Sequence, residues 1–215
     1  MPRKIIPPTE KDTAAAVSAA RYAVRHPETY ERFYTRRGFL GVSLEHRVNV
    51  KKKIAALIKV NNGKTVRILD VGCGSGEFVK QAKKTFGDAV ELHALDVARW
   101  PEWRGIKGVN FRIGHAENLE RSFEPNYFDM VISTFGLCRT PNQLKALEQV
   151  QKVARENGLV ITHVDDSVLK KRQNTNVKKI AEALGARVTH FQLAFTPMYS
   201  IQFRRKPESV KLEAN

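Results

Sequence analysis

Two textures of apolar and polar positions follow one another along the chain. Up to residue 64 the apolar residues fall at helical spacing. Thr13 to His26 is alanine-rich and stops at Pro27, and Glu28 to Arg37 reads as a second short helix closed by Gly38. His46 to Val60 reads as a third. Val48, Ile54, Ala55, Leu57 and Ile58 share one face, Arg47, Lys51, Lys52 and Lys53 occupy much of the rest, and Asn61-Asn62-Gly63 ends it. From Thr65 short β-type runs alternate with helical stretches. Strands are expected at Val66 to Val71, Val90 to Leu95, Val109 to Ile113, Phe128 to Ser133 and Leu159 to Val164. Helices are expected at Gly76 to Phe86, from about Asn142 to Ala154 with Asn157-Gly158 as its C-terminal signal, and at Val177 to Leu184 before Gly185. Val188 to Ala194 and Tyr199 to Arg204 read as two strands joined through a turn at Thr196-Pro197-Met198.

This alternation predicts an α/β fold: a doubly wound, mostly parallel seven-stranded sheet with a C-terminal β-hairpin, preceded by N-terminal helices. The domain expectation is a basic helical extension or lid over 1–64, a core domain over 65–206, and a flexible tail over 207–215. The 215 residues suffice for one such core. No apolar run reaches the roughly 18–20 residues of a membrane span, and the start MPRKIIPPTEKD lacks a signal-peptide core. The two cysteines, Cys73 and Cys138, make neither a disulfide framework nor a metal-spaced pair, so a reducing, cytoplasmic setting without a metal site is expected. Cys138 reads as a small buried cysteine rather than a nucleophile.

Charge adds a second distinction between the regions. The net charge is +15, and it is carried by the flanks. Residues 1–64 hold 14 Lys and Arg against 5 Asp and Glu, and residues 167–215 hold 10 against 3, whereas residues 65–166 hold 13 against 14. Basic flanks suit a polyanion such as RNA, and they also serve simple solvation.

The chemistry concentrates at Asp70-Val71-Gly72-Cys73-Gly74-Ser75-Gly76, between the first strand and its helix. In doubly wound sheets, ligands sit at such strand ends. A dinucleotide fingerprint needs a third glycine where this chain has Glu77, and no P-loop lysine follows. Asp70 and Glu77 beside the turn suit a ligand with positive charge and no pyrophosphate.

Val66-Arg67-Ile68-Leu69-Asp70-Val71-Gly72-Cys73-Gly74-Ser75-Gly76 resembles the first motif of the class I methyltransferase family, and the resemblance extends from about Arg67 to Thr162. It implies S-adenosylmethionine as cofactor, held by Asp70, Gly72, Gly74 and Gly76. Asp96, twenty residues past Gly76, would accept both ribose hydroxyls. Gly114-His115-Ala116-Glu117-Asn118-Leu119 matches the loop that cups adenine in the family. His115 stands where an acid is common, and a neutral imidazole offers the same acceptor through one nitrogen. Phe128-Asp129-Met130-Val131-Ile132-Ser133 resembles the fourth strand, with Asp129 structural and Thr134 and Phe135 facing the cofactor or the transferred methyl. Of these, Thr134 is counted with the cofactor and Phe135 with the substrate.

Methyl transfer from a sulfonium is an in-line displacement that needs alignment and exclusion of water more than a base. His163, Asp165 and Asp166, at the end of the fifth strand, are the candidates for a base, and capping the next helix is the competing role for the two acids. Tyr30 and Tyr34 with Arg36 and Arg37 are candidates for holding a substrate. No Asn-Pro-Pro-Tyr or Asp-Pro-Pro-Tyr follows the fourth strand and no Pro-Cys or Thr-Cys pair occurs there, so methylation of an exocyclic base amine or of cytosine C5 has no support. Three readings stay open: an enzyme methylating RNA (rRNA or tRNA) held by the basic flanks, an enzyme for a small-molecule acceptor, and a non-catalytic nucleic-acid-binding protein on a degenerate methyltransferase fold. Lys170-Lys171-Arg172 and Arg204-Arg205-Lys206 would favour RNA if they converged on the carboxyl edge of the sheet.

Overall fold

A computed structural model describes residues 38–193, 196–208 and 210–212. The expected helices at Thr13–His26 and Glu28–Arg37 lie outside the described residues. Within them the chain runs α1 (Phe39–His46), α2 (Val50–Val60), β1 (Val66–Val71), α3 (Glu77–Phe86), β2 (Val90–Asp96), β3 (Val109–Ile113), β4 (Phe128–Ser133), α4 (Gln143–Val153), β5 (Ala154–Asp165), α5 (Asp166–Gln173), α6 (Val177–Leu184), β6 (Arg187–Leu193) and β7 (Thr196–Arg204). The seven strands form one sheet in the order β3-β2-β1-β4-β5-β7-β6. All neighbours are parallel except β7, which runs antiparallel to both β5 and β6. The doubly wound sheet with a closing hairpin is therefore as expected. The strand order reverses between β1 and β4, which opens a crevice at their carboxyl ends.

Both faces of the sheet are covered, which is why its central strands are near-continuous apolar runs. Successive residues of β1 serve opposite cores. Leu69 and Val71 pack with Leu144, Leu147 and Val150 of α4 and Ile180 and Leu184 of α6. Val66 and Ile68 pack with Ile54 and Leu57 of α2 and Phe78 and Val79 of α3. Asp129, expected to be structural, ties three strands together at the amino edge. It accepts from Arg67 N in β1 at 2.7 Å and pairs with Arg155 of β5 at 2.6 Å.

Several local expectations are corrected. The helix read from His46 to Val60 is two helices. Arg47 turns left-handed at φ 51°, and Asn49 caps α2 by accepting from Lys52 N. Gly38 is the N-cap of α1, and Gln81 of α3, which accepts from Phe39 N, fills the space beside it; the helix Gly38 was expected to close lies outside the described residues. Asn157-Gly158 is not a helix terminus: α4 stops at Val153, and the pair lies inside β5 beside a register shift between Phe128 and Met130. It is clasped there by Arg205, whose N–H donates to Gly158 O and whose carbonyl accepts from Asn157 N. Thr196-Pro197-Met198 is strand, paired to Leu193, Gln192 and Phe191. Part of the expected flexible tail is anchored. Val210 exchanges hydrogen bonds with the Gln151 side chain, and Leu212 is buried.

No helix among the described residues is long and apolar enough to cross a membrane. The connection from β2 to β3 carries only a short 3-10 turn, Pro101–Gly105, where a doubly wound fold ordinarily has a crossover helix. Both tryptophans of the chain fill that place.

Candidate active site

The carboxyl ends of β1 and β4 meet at the reversal point. Gly72, Gly74 and Gly76 all have positive φ, at 77°, 52° and 85°. At Gly72 a second requirement acts, because a Cβ there would overlap the backbone of Gly136 after β4. Ser133 locks the same junction by donating to Val71 O and accepting from Leu137 N, both at 2.8 Å. Gly76 then opens α3 as its N-cap.

Two buried carboxylates face this turn. Asp96 accepts from Gly74 N at 2.8 Å and from Ala98 N at 3.3 Å. Burial raises its carboxyl, and hydrogen bonds from Gly74, Ala98, Trp100 and Val97 offset part of that rise. Asp70 is pushed up to about 8, first by burial and then by the charge of Asp96. Among the described residues Asp70 has no ion-pair partner. The same burial and the same two acids push the Cys73 thiol well up. Two buried acids beside the turn, one of them held protonated by burial and its neighbour, suit a cation that would let both ionise. S-adenosylmethionine, with its ammonium and sulfonium groups, has that chemistry, and Asp70, Asp96 and the glycine backbone are the groups that would hold it. Glu77 is directed elsewhere, to Gln81 at 2.8 Å and Lys80 at 3.6 Å.

The tryptophans brace the turn from outside. Trp103 donates its indole N–H to Gly74 O at 2.8 Å and stacks on Phe111, ring centroids 4.6 Å apart. Trp100 is buried against Gly74 and Asp96. Sequence reasoning passed over both. The signal available was Trp-Pro-Glu-Trp in a link too short for a crossover helix. His115 and Ala116 begin the 3-10 turn Ala116–Arg121 after β3, leaving the first N–H groups of that turn without internal acceptors. One oxygen of the Glu117 carboxylate accepts from Asn142 N at 2.6 Å.

On the other side of the crevice, α1 lies across the ends of β4, β5 and β7. Its last residue, His46, is fully buried. One ring nitrogen meets Ser200 Oγ of β7 at 2.7 Å and the other meets Thr134 Oγ1 at 3.1 Å. His163 is buried beside it, ring centroids 4.0 Å apart. Phe135, at the unusual φ of 64°, turns its ring into this cluster, 4.6 Å from His163 and packed with Cys138 and Met198. Thr134 remains partly exposed at the crevice. Of the expected bases, His163 therefore belongs to this cluster, but the two acids do not. Asp165 caps α5 through Ser167 N and Val168 N, and Asp166 accepts from Val177 N and pairs with Lys170 at 2.6 Å. Tyr30, Tyr34, Arg36 and Arg37 lie outside the described residues. His46 and Ser200 were not singled out in the sequence, and no local pattern marks them.

Comparison with known proteins agrees with this geometry. Residues 62–204 match a family model described as a methyltransferase domain. A demethylmenaquinone methyltransferase of Staphylococcus aureus is 28% identical over 124 residues, which is 56% of this chain and 51% of the relative. The chain thus spans about half the length of the curated relatives it matches. Among solved structures, an arsenic(III) S-adenosylmethionine methyltransferase from Chlamydomonas reinhardtii superposes with a TM-score of 0.52 at 19% identity, covering 70% of this chain and 66% of that one. Phosphoethanolamine N-methyltransferase 2 of Haemonchus contortus, in complex with S-adenosyl-L-methionine, gives 0.53 at 16% identity, covering 73% and 53%. At these identities the two structures speak for the fold.

Proposed function

The chain belongs to the methyltransferase-domain family of class I, S-adenosylmethionine-dependent enzymes, and on that premise we propose that it transfers a methyl group to a small-molecule acceptor. The observation that carries the donor half is the buried pair Asp70 and Asp96 beside the glycine turn, with Asp70 pushed up to about 8. Bound S-adenosylmethionine supplies an electrophilic methyl group on a cationic sulfur. The protein's part is to align it and exclude water. Asp96 takes the ribose hydroxyls, Asp70 faces the cationic methionine portion, the N–H groups beside Ala116 and Glu117 read the adenine, and Thr134 lines the side toward the acceptor.

A small acceptor is favoured by the roofed acceptor side, where α1 seats His46 over the ends of β4, β5 and β7. The curated relative's own acceptor, demethylmenaquinone, is a small molecule as well. The basic clusters argue against a polyanion at this site. Lys170-Lys171-Arg172 ends α5 near the carboxyl edge, whereas Arg204-Arg205-Lys206 ends β7 beside Leu159, at the amino edge. They do not converge. Within the proposed domain plan, residues 65–206 carry the transferase core and the preceding helices cover it.

Because both tryptophans sit at the glycine turn, indole fluorescence reports donor binding directly. S-adenosylmethionine should change it saturably, and Asp96→Ala should weaken binding roughly 100-fold, the loss of about two hydrogen bonds to a charged group. No binding at millimolar donor overturns the reading. Labelled-methyl transfer is then compared on reduced demethylmenaquinone, a small-molecule extract and total RNA. Label in RNA alone overturns the small-acceptor half. Donor binding with no label in any fraction favours a non-catalytic protein.

A further inference from the structure

Ser200, His46 and Thr134 form a hydrogen-bonded line that begins in the core and ends at the crevice. We infer that this line is a proton relay, with His46 as a positioning residue acting through Thr134, and that the acceptor is a group that must lose a proton, a hydroxyl or an acidic C–H. The inference rests on the methyl-transfer reading above and extends it to the acceptor's chemistry.

The argument starts from what surrounds the imidazole. Both ring nitrogens face hydroxyl oxygens, at 2.7 and 3.1 Å. A hydroxyl donates or accepts as required. Neutral His46 is satisfied with one hydroxyl donating and the other accepting, and imidazolium is satisfied with both accepting. A histidine used only as a strut would be held as well by a carbonyl, which fixes one tautomer; this one is held so that either protonation state is fully bonded. His46 is also the last residue of α1, whose dipole acts on it, and the His163 ring lies against it at 4.0 Å, tilted by 35°.

Among the described residues, the groups facing His46 come from three strands and its own helix. β5 presents His163, which is titratable. The end of β4 presents Thr134, and β7 presents Ser200 and Gln202, whose amide donates to the His46 carbonyl at 3.4 Å. On α1 itself the neighbouring Glu45 is half-buried. Thr134 is the member of the line open to the crevice, one residue past β4 and beside the Gly72–Gly136 junction. The left-handed turn at Phe135 helps to hold it there.

In the step, the acceptor's proton passes to Thr134 Oγ1 as the Thr134 proton passes to the facing nitrogen of His46. The electron pair freed on the acceptor makes the new bond to the methyl carbon, and the carbon–sulfur pair returns to sulfur. One proton then resides on His46, both of whose N–H groups donate to hydroxyls, and it leaves by the same path. The relay needs no oxidant, reductant or further reactant.

The test reads the imidazole itself, on the full chain, by long-range 1H–15N NMR with His46 assigned through His46→Gln. His46 should titrate reversibly between pH 5 and 9. Thr134→Val should move that midpoint by more than half a unit, and Thr134→Ser should restore it. A His46 held in one tautomer across the range overturns the relay, as does a midpoint unchanged in Thr134→Val. Indole fluorescence in the same samples separates the two readings. His46→Gln should bind S-adenosylmethionine within about twofold of the parent, and a parent that binds no donor defeats the functional reading while leaving the titration to judge the relay.

Discussion

The two sides of the crevice are made in opposite ways. The donor side is local. Asp70, the three glycines and Gly74's contact with Asp96 come from two neighbouring strand ends that follow one another in the chain. The acceptor side is collected from afar: His46 meets Thr134 across 88 positions and Ser200 across 154. The donor side also holds two buried acids, whereas on the acceptor side both ring nitrogens of buried His46 meet hydroxyls. A site that must take a fixed, cationic cofactor gains from a buried acid whose ionisation the ligand favours. A site that handles a proton gains instead from partners that tolerate both states.

The comparison is broken most severely at the glycine junction. Gly72→Ala places a Cβ on Gly136 and adds strain at φ 77°. About 1 kcal/mol for the backbone and about 1–3 kcal/mol for the overlap together predict a loss of roughly 2–4 kcal/mol in urea unfolding, with donor binding reduced beyond 100-fold. A loss below about 1 kcal/mol would mean that the two strand ends need not meet.

A smaller effect sharpens the electrostatic half. Asp70 at about 8 holds its proton in the free protein at neutral pH. Donor binding favours the charged form, so the affinity should rise with pH up to about 8 and binding should release a proton, measured by calorimetry in buffers of different ionisation enthalpy. The sign for stability is the reverse. The folded protein keeps this proton over a range where the unfolded chain, near 3.8, has lost it. Folding stability is therefore fully present below about 4 and declines as pH rises through about 8. Asp70→Asn should flatten both dependences, and a pH-independent affinity in the parent would remove the Asp70 proton from the account.

The smallest effect lies away from both sides. Asp129→Asn weakens the ties to Arg67 and Arg155 at the amino edge. It should cost about 1–2 kcal/mol in unfolding while leaving donor affinity within twofold. A large change in affinity would couple the far edge of the sheet to the site.

Reading the residues in order located the parts of the fold governed by short-range rules. Apolar runs marked all seven strands, and Gly87 and Gly185 ended their helices where expected. The errors arose where a local signal had two uses. Asn157-Gly158 has the residues of a helix terminus, yet it serves an irregularity inside β5, because Arg205, just past β7, pairs with it. Thr196-Pro197-Met198 has a turn's composition but is paired along β6. Asp165 and Asp166 have a base's chemistry, but helix caps claim them.

By itself the sequence determined the alternating architecture, the cofactor turn and the exclusion of its rivals, since Glu77 in place of a glycine is a fact of spacing. It also determined that charge sits in the flanks. The tertiary structure decided what that charge and the buried histidines do. Whether basic clusters converge depends on β7 running antiparallel, which sends its last residues to the amino edge. Whether His46 is a strut or a relay depends on two hydroxyls brought to its ring from strands far along the chain. Backbone geometry within a turn is set by neighbours in sequence, whereas a buried polar group is defined by whichever partners the packing delivers to it.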